Sequence, residues 1–393
     1  MSMEKKRDWA AELVAPGLTQ HVVWLDVVRM LAMFTLVCCH CANPFNWTPE
    51  GVPVQEGVKF WGAMWGSALR HSVPLFVMIT GALLLPVRGD AGPFYKKRIG
   101  RVLPPFLIWS VAYCLFPWLL GLFGGGQELL RAFFPYAGAD FQTQRLEVSV
   151  KHVFLISLNF SSIGIQMWYI YLLIGLYLYM PIFSAWVETA TDGAKRWFLV
   201  AWLVTTLLPY YSCFADTGIW GTCSWNAFGM LYYFAGFNGY LLLGHCLRNC
   251  VWSWRQLVCV GIPMFAIGYA ITCCGYLWLT GLPGCTEQMS ELFWTTNSLN
   301  VVMMTVPFFM LCKVIPVTSL WVKRLLANLT LCGFGIYMIH YFFIGPAVLL
   351  VRALGCPLCV QIPLAAVIAF AVSWSLVSVA YRILGRKIRW LLG

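Results

Sequence analysis

The chain has 393 residues, 60% of them hydrophobic and only 10% charged, with a net charge of +11. Soluble domains carry about a quarter charged residues, so a water-soluble enzyme, a disordered segment and a collagen-like rod are all excluded. The basic excess could suit a nucleic acid, but in so apolar a chain it reads as membrane topology, because cytoplasmic loops gather Lys and Arg; no nucleic-acid partner is expected.

The chain opens on Lys5, Lys6 and Arg7, and no small-residue cleavage site follows the first apolar run. Residues 1–21 therefore read as a retained cytoplasmic segment rather than a leader. Ten apolar runs follow, at about 22–42, 60–86, 102–123, 165–187, 197–214, 226–246, 257–280, 293–315, 326–351 and 360–382. Runs of this length suit membrane helices, and no period-2 alternation supports a barrel. The expected fold is an all-α polytopic transmembrane helix bundle over 22–383, with a long outer loop at 124–164 and a tail at 384–393. If the N-terminus is cytoplasmic, nineteen Lys and Arg fall in inner segments, five in outer ones and two within spans. The positive-inside rule then puts both termini in the cytoplasm.

Ionisable groups at membrane depth are costly and are functional candidates. In the first span Asp26 and Arg29 are three residues apart and share a face. Arg29 and His40 are eleven apart, which is close to three turns and about 16 Å along one side of a helix. That stripe suggests a wet or protein-lined interior. An ion pair near the headgroups and an interfacial histidine are the plainer alternatives. Cys38-Cys39-His40-Cys41 does not read as a metal site, because consecutive helical residues point in different directions and no second ligand pair has zinc spacing.

The second span contains Arg70-His71-Ser72-Val73-Pro74. Proline removes a backbone bond and kinks a helix, so Arg70 and His71 become pathway candidates, or else satisfy each other in a broken helix. Before the third span comes Lys96-Lys97-Arg98-Ile99-Gly100-Arg101. Arg98 and Arg101 share a face if this stretch is helical, and arginine offers paired donors to phosphate; topology alone is the competing account. In the ninth span Tyr337 and His340 lie one turn apart, as a pathway pair or a hydrogen-bonded core pair. The sixteen cysteines lie mostly in apolar runs, where Cys acts as a small hydrophobe; pairing among Cys223, Cys285, Cys356 and Cys359 is left open.

Taken together, these segments resemble the acyltransferase 3 family of integral membrane acyltransferases. The resemblance is carried by Asp26-x-x-Arg29 with ten residues between Arg29 and His40, by Val73-Pro74-Leu75-Phe76-Val77-Met78-Ile79-Thr80-Gly81, by Lys97-Arg98-Ile99-Gly100-Arg101 with Pro104, by Met167-Trp168-Tyr169-Ile170-Tyr171 through Pro181, and by Gly335-Ile336-Tyr337-Met338-Ile339-His340. It runs through about 22–351, with Thr80 where the family more often has Ser. With no appended soluble domain, the chain is similar to the stand-alone members that O-acetylate surface-glycan sugars.

The resemblance implies transfer of acetyl from cytoplasmic acetyl-CoA, used as co-substrate without a resident cofactor, to a sugar hydroxyl beyond the bacterial inner membrane. Succinyl-CoA or another acyl-CoA is the alternative donor. It implies His40 as general base with Arg29 and Asp26, and Arg98, Arg101 and Lys97 as the acyl-CoA site. Trp168, Tyr169 and Tyr171 are candidates for stacking on a sugar, or belong to an aromatic belt. A transporter or flippase of a glycan-linked solute is the rival reading. It leaves the tight arginine cluster before the third span without a role.

Overall fold

The computed structural model describes residues 22–48, 52, 54–135, 141, 143–214 and 228–393. Among them there is no strand. Helices satisfy their own backbone groups, which lipid demands. In chain order they are α1 (Val23–Ala42), α2 (Glu56–Ala68), α3 (Ser72–Leu84), α4 (Ala91–Leu122), α5 (Gln127–Phe133), α6 (Leu146–Leu155), α7 (Trp168–Thr189), α8 (Asp192–Thr205), α9 (Leu208–Phe214), α10 (Asn238–Leu247), α11 (Ile262–Thr280), α12 (Leu299–Val314), α13 (Leu320–Ile339), α14 (Tyr341–Ala353), α15 (Leu358–Leu384) and α16 (Arg389–Leu392), with short single turns between some of them.

Among the described residues, seven helical segments are long and apolar enough to cross a membrane: Val23–Phe45, Glu56–Leu84, Ala91–Leu122, Ile165–Thr189, Trp254–Thr280, Leu320–Ile339 and Leu358–Leu384. Leu299–Val314 and Tyr341–Ala353 are apolar but shorter. The chain is an all-α polytopic membrane bundle. The runs expected at 197–214 and 226–246 contain only short helices, α8 with α9 and α10, while 215–227 lie outside the described residues. Cys223 lies there too, whereas Cys285, Cys356 and Cys359 are free thiols.

Helix α1 is the axis of the bundle. Of its most apolar stretch 72% is buried, against 28% for Trp254–Thr280 on the periphery. It touches α2, α3, α12, α13, α14 and α15, so a polar residue on α1 faces protein rather than lipid. Two expected spans are broken. The run at 60–86 is divided at Leu69–His71; Pro74 has no N–H to give to the Arg70 carbonyl one turn back. The run at 326–351 turns at His340, where the Phe343 amide bonds back to the His340 carbonyl at 2.9 Å in a tightened turn. Both breaks fall on residues the sequence had singled out.

Close packing of α3 against α10 rests on two glycines. A Cβ at Gly81 would lie 2.0 Å from the Leu241 carbonyl oxygen, and one at Gly244 would lie 2.1 Å from that of Met78. Small residues let membrane helices approach this closely. The segment expected as a long loop carries α5 and α6, which pack on α14 and α4. The segment expected as a tail turns back into the bundle: Trp109 Nε1 donates to the Leu391 carbonyl at 2.9 Å, and Ile388 and Leu392 are buried.

Candidate functional site

Helix α4 begins at Ala91, so the basic run is helical and Arg98 and Arg101 lie one turn apart on one side. Together with α1, α3, α7, α13 and the returning segment at Arg389, they enclose a cavity of about 370 Å³. Its polar lining is Asp26, Arg29, Thr80, Arg98, Arg101, Tyr169, Tyr177, Thr330, Tyr337 and Arg389. Arg101 is exposed and Arg98 half-buried, so the cavity opens at that end. Along α13 the lining runs from Ala327 to Tyr337, which is about 15 Å at the helical rise.

Near the mouth, Arg29 Nη1 donates to Asp26 Oδ1 at 2.9 Å. Thr330 Oγ1 donates to the same oxygen at 3.0 Å and lies 3.5 Å from the guanidinium. Asp26 is thus engaged from two helices, and it fixes Arg29 against the cavity wall. Arg29, Arg98 and Arg101 line this cavity together with the Tyr177 phenol. Arg98 Nε is buried with no hydrogen-bond partner among the described residues. A buried cationic donor without an acceptor is costly, and a ligand anion would supply one.

The deep end is aromatic. Tyr169 packs on Phe76 and Tyr337 with ring centres 5.9 and 6.0 Å apart. The Tyr337 hydroxyl donates to the Gln166 carbonyl. The Thr80 hydroxyl donates to the Phe76 carbonyl at 2.9 Å, within its own helix, so replacing the more usual Ser leaves a hydroxyl that is already satisfied.

His40 is not in the cavity lining. Beyond Tyr337 lies His340, 5.8 Å away ring to ring, and then His40, a further 5.5 Å. Tyr341 closes edge-on against both histidines. His340 Nδ1 meets the carbonyls of Tyr337 and Ile336 at 2.8 and 3.2 Å. Both are acceptors, so Nδ1 carries the proton and Nε2 keeps its lone pair. His40 is half-buried, and Arg70 lies within electrostatic reach of it. Arg70 stacks on Trp294 at 3.7 Å, and its Nη1 is 3.7 Å from Glu291 Oε2.

The cavity therefore gathers Asp26, Arg29, Arg98, Arg101, Tyr169 and Tyr337. His40, His340 and Arg70 group at its far side. The other sequence candidates lie elsewhere. Lys97 is exposed on α4, outside the lining. His71 is buried against Phe308 and Phe265. Trp168 packs on Phe237, and the Tyr171 hydroxyl donates to the Ile156 carbonyl at 2.5 Å. Arg389, Tyr177 and Thr330 are additions from the structure. Arg389 had a faint signal, a cation followed at once by Trp390, Leu391 and Leu392; Thr330 had none.

No curated protein and no solved structure matches the chain. A family model described as an acyltransferase domain, Acyl_transf_3, matches residues 22–378. That span takes in every helix from α1 to α14 and all of the cavity lining except Arg389. It favours an enzyme over the transporter reading, and the chain belongs to the acyltransferase 3 family, as an integral membrane acyltransferase.

Proposed function

We propose that the chain moves acetyl from acetyl-CoA, bound from the cytoplasm, to a sugar hydroxyl of a glycan or lipid-linked saccharide beyond the bacterial inner membrane. The observation that carries this reading is the cavity itself. Four guanidiniums line it against one carboxylate among the described residues, it opens at the basic end, and it stops one tyrosine ring short of a histidine pair. Guanidiniums bind phosphate through paired, charge-assisted bonds. Arg98 and Arg101 hold the CoA phosphates, and Arg29, steadied by Asp26 and Thr330, lines the path of the pantetheine arm. About 15 Å of cavity suits an extended arm with its thioester at the Tyr337 end.

The chemistry then falls to the histidines. His40 takes the proton from the acceptor hydroxyl. The oxygen attacks the thioester carbonyl, the tetrahedral intermediate collapses, and the C–S bond breaks to release CoA thiolate and the acetyl ester. The acceptor arrives from the side of Arg70 and Glu291, opposite the arginine mouth. Another acyl-CoA, such as succinyl-CoA, would use the same phosphate contacts.

The test uses detergent-purified protein and labelled acetyl-CoA. Wild type should bind it, and Arg98→Glu with Arg101→Glu should weaken binding by about 100-fold or more, given the usual strength of charged hydrogen bonds. Unchanged binding removes the donor site. Mass spectrometry of surface glycans with and without the gene should reveal one lost acetyl group; an identical glycan profile removes the acceptor class.

A further inference from the structure

We infer that Arg389 is a phosphate-binding residue of the donor site, and that residues 385–393 form a wall of that site. This rests on the acyl-CoA reading above. The segment follows α15, turns at Gly385 with φ +59°, and re-enters the bundle. There it is wedged rather than draped. Leu391 accepts from Trp109 Nε1 at 2.9 Å on α4, and the Gly393 carbonyl accepts from the Tyr381 hydroxyl at 2.9 Å on α15. A Cβ at Gly335 of α13 would lie 3.3 Å from Leu392 Cβ. Ile388 and Leu392 are buried while Trp390 is 60% exposed. The apolar residues thus anchor the turn, and Arg389 between them faces the cavity.

Arg101 Nη2 donates to the Gly393 oxygen at 3.5 Å, the same oxygen that accepts from the Tyr381 hydroxyl at 2.9 Å. Arg101 is thus tied to the returning segment, and Arg389 adds a guanidinium to the cavity lining from outside the Arg98–Arg101 turn. Among the described residues no Asp or Glu side chain forms an ion pair with Arg98 or Arg101, and Asp26 pairs with Arg29. Like charges gathered in a partly closed cavity repel one another. A ligand with several phosphates removes that repulsion, as one with a single carboxylate would not. CoA carries a diphosphate and a separate ribose phosphate, so an array wider than one helical turn suits it.

The experiment compares two donors on the full-length purified protein. Dissociation constants are measured for acetyl-CoA and for S-acetyl-pantetheine, which has the same thioester and arm but no phosphate. Wild type should bind acetyl-CoA far more tightly. Arg389→Ala should weaken acetyl-CoA binding about 10-fold or more, as loss of a charged hydrogen bond does, with S-acetyl-pantetheine within about twofold. Arg389→Lys should recover most of the loss. Unchanged acetyl-CoA binding in Arg389→Ala overturns the inference. So does an equal loss for both donors, which would mark a structural wall without a phosphate contact. A wild-type protein that favours neither donor overturns the acyl-CoA reading, and this inference with it.

Discussion

The two halves of α1 face different environments. Around Asp26 and Arg29 the helix borders an open cavity with four guanidiniums and only one carboxylate among the described residues. Three turns on, His40 lies among rings: His340 is 0% exposed and Tyr341 2%. The guanidiniums of the cavity stand where water or a ligand anion can reach them, whereas the charge on the His40 side, Arg70, is stacked on Trp294 and faces Glu291. This follows from desolvation, since a buried unpaired charge costs far more than a buried neutral ring. On the proposed reading the separation has a chemical use. A base must become positive when it takes a proton, and a neighbouring arginine cluster opposes that. Arg29 and His40 lie about 16 Å apart along α1, which sets the proposed base away from the cavity arginines.

The largest effect expected is on the dry end alone. His40→Ala should lower acetyl transfer by about 10²–10⁴-fold, the usual contribution of a general base, while acetyl-CoA binding stays within about twofold. Steady-state transfer and equilibrium binding on the same preparation check both halves. A variant that transfers at the wild-type rate removes His40 as base. One that loses binding as well breaks the division between the two ends.

A smaller effect should appear at the wet end. Asp26→Asn keeps the shape of the side chain but removes the charge that holds Arg29. Thermal unfolding should show a loss of about 1–3 kcal/mol, the range for weakening a charged, part-buried hydrogen bond. Acetyl-CoA binding should not weaken, because the cavity becomes more positive. Binding that falls as far as in the Arg98→Glu, Arg101→Glu protein would mean that Asp26 serves the ligand directly and not through Arg29.

Much of this division was legible in the sequence, for a physical reason. Charge at membrane depth is rare, so Asp26, Arg29, Arg98 and Arg101 stand out of an apolar background, and helical spacing places each pair on one face. Aromatic residues carry no such contrast. Trp168, Tyr169 and Tyr171 look equivalent in the sequence, yet only Tyr169 lines the cavity, because the roll of α7 against α3 and α13 decides which ring points inward. Arg389 was hidden for the opposite reason. Near other basic residues at a helix end it reads as topology, and only the return of residues 385–393 onto α4 brings it to the cavity. Span lengths were partly misjudged where an apolar run conceals a break. The turn at His340 gives no sign in composition, whereas Pro74 did mark the break before α3.

The most delicate test concerns Tyr337, which belongs to both ends: it lines the cavity and touches His340. Tyr337→Phe keeps the ring and removes the hydroxyl that the Gln166 carbonyl accepts from. The Trp168 amide also donates to that carbonyl, so the loss is one of two donors and should cost about 0.5–1.5 kcal/mol of stability. The ring contacts with Tyr169 and His340 do not depend on the hydroxyl, so transfer should change by less than about fivefold and donor binding hardly at all, by the same energetic reasoning. Kinetics of the Phe protein beside those of His40→Ala decide the matter. If the two fall equally, the hydroxyl takes part in proton transfer, and the ring between the halves of α1 is a member of the catalytic group instead of a neutral divider.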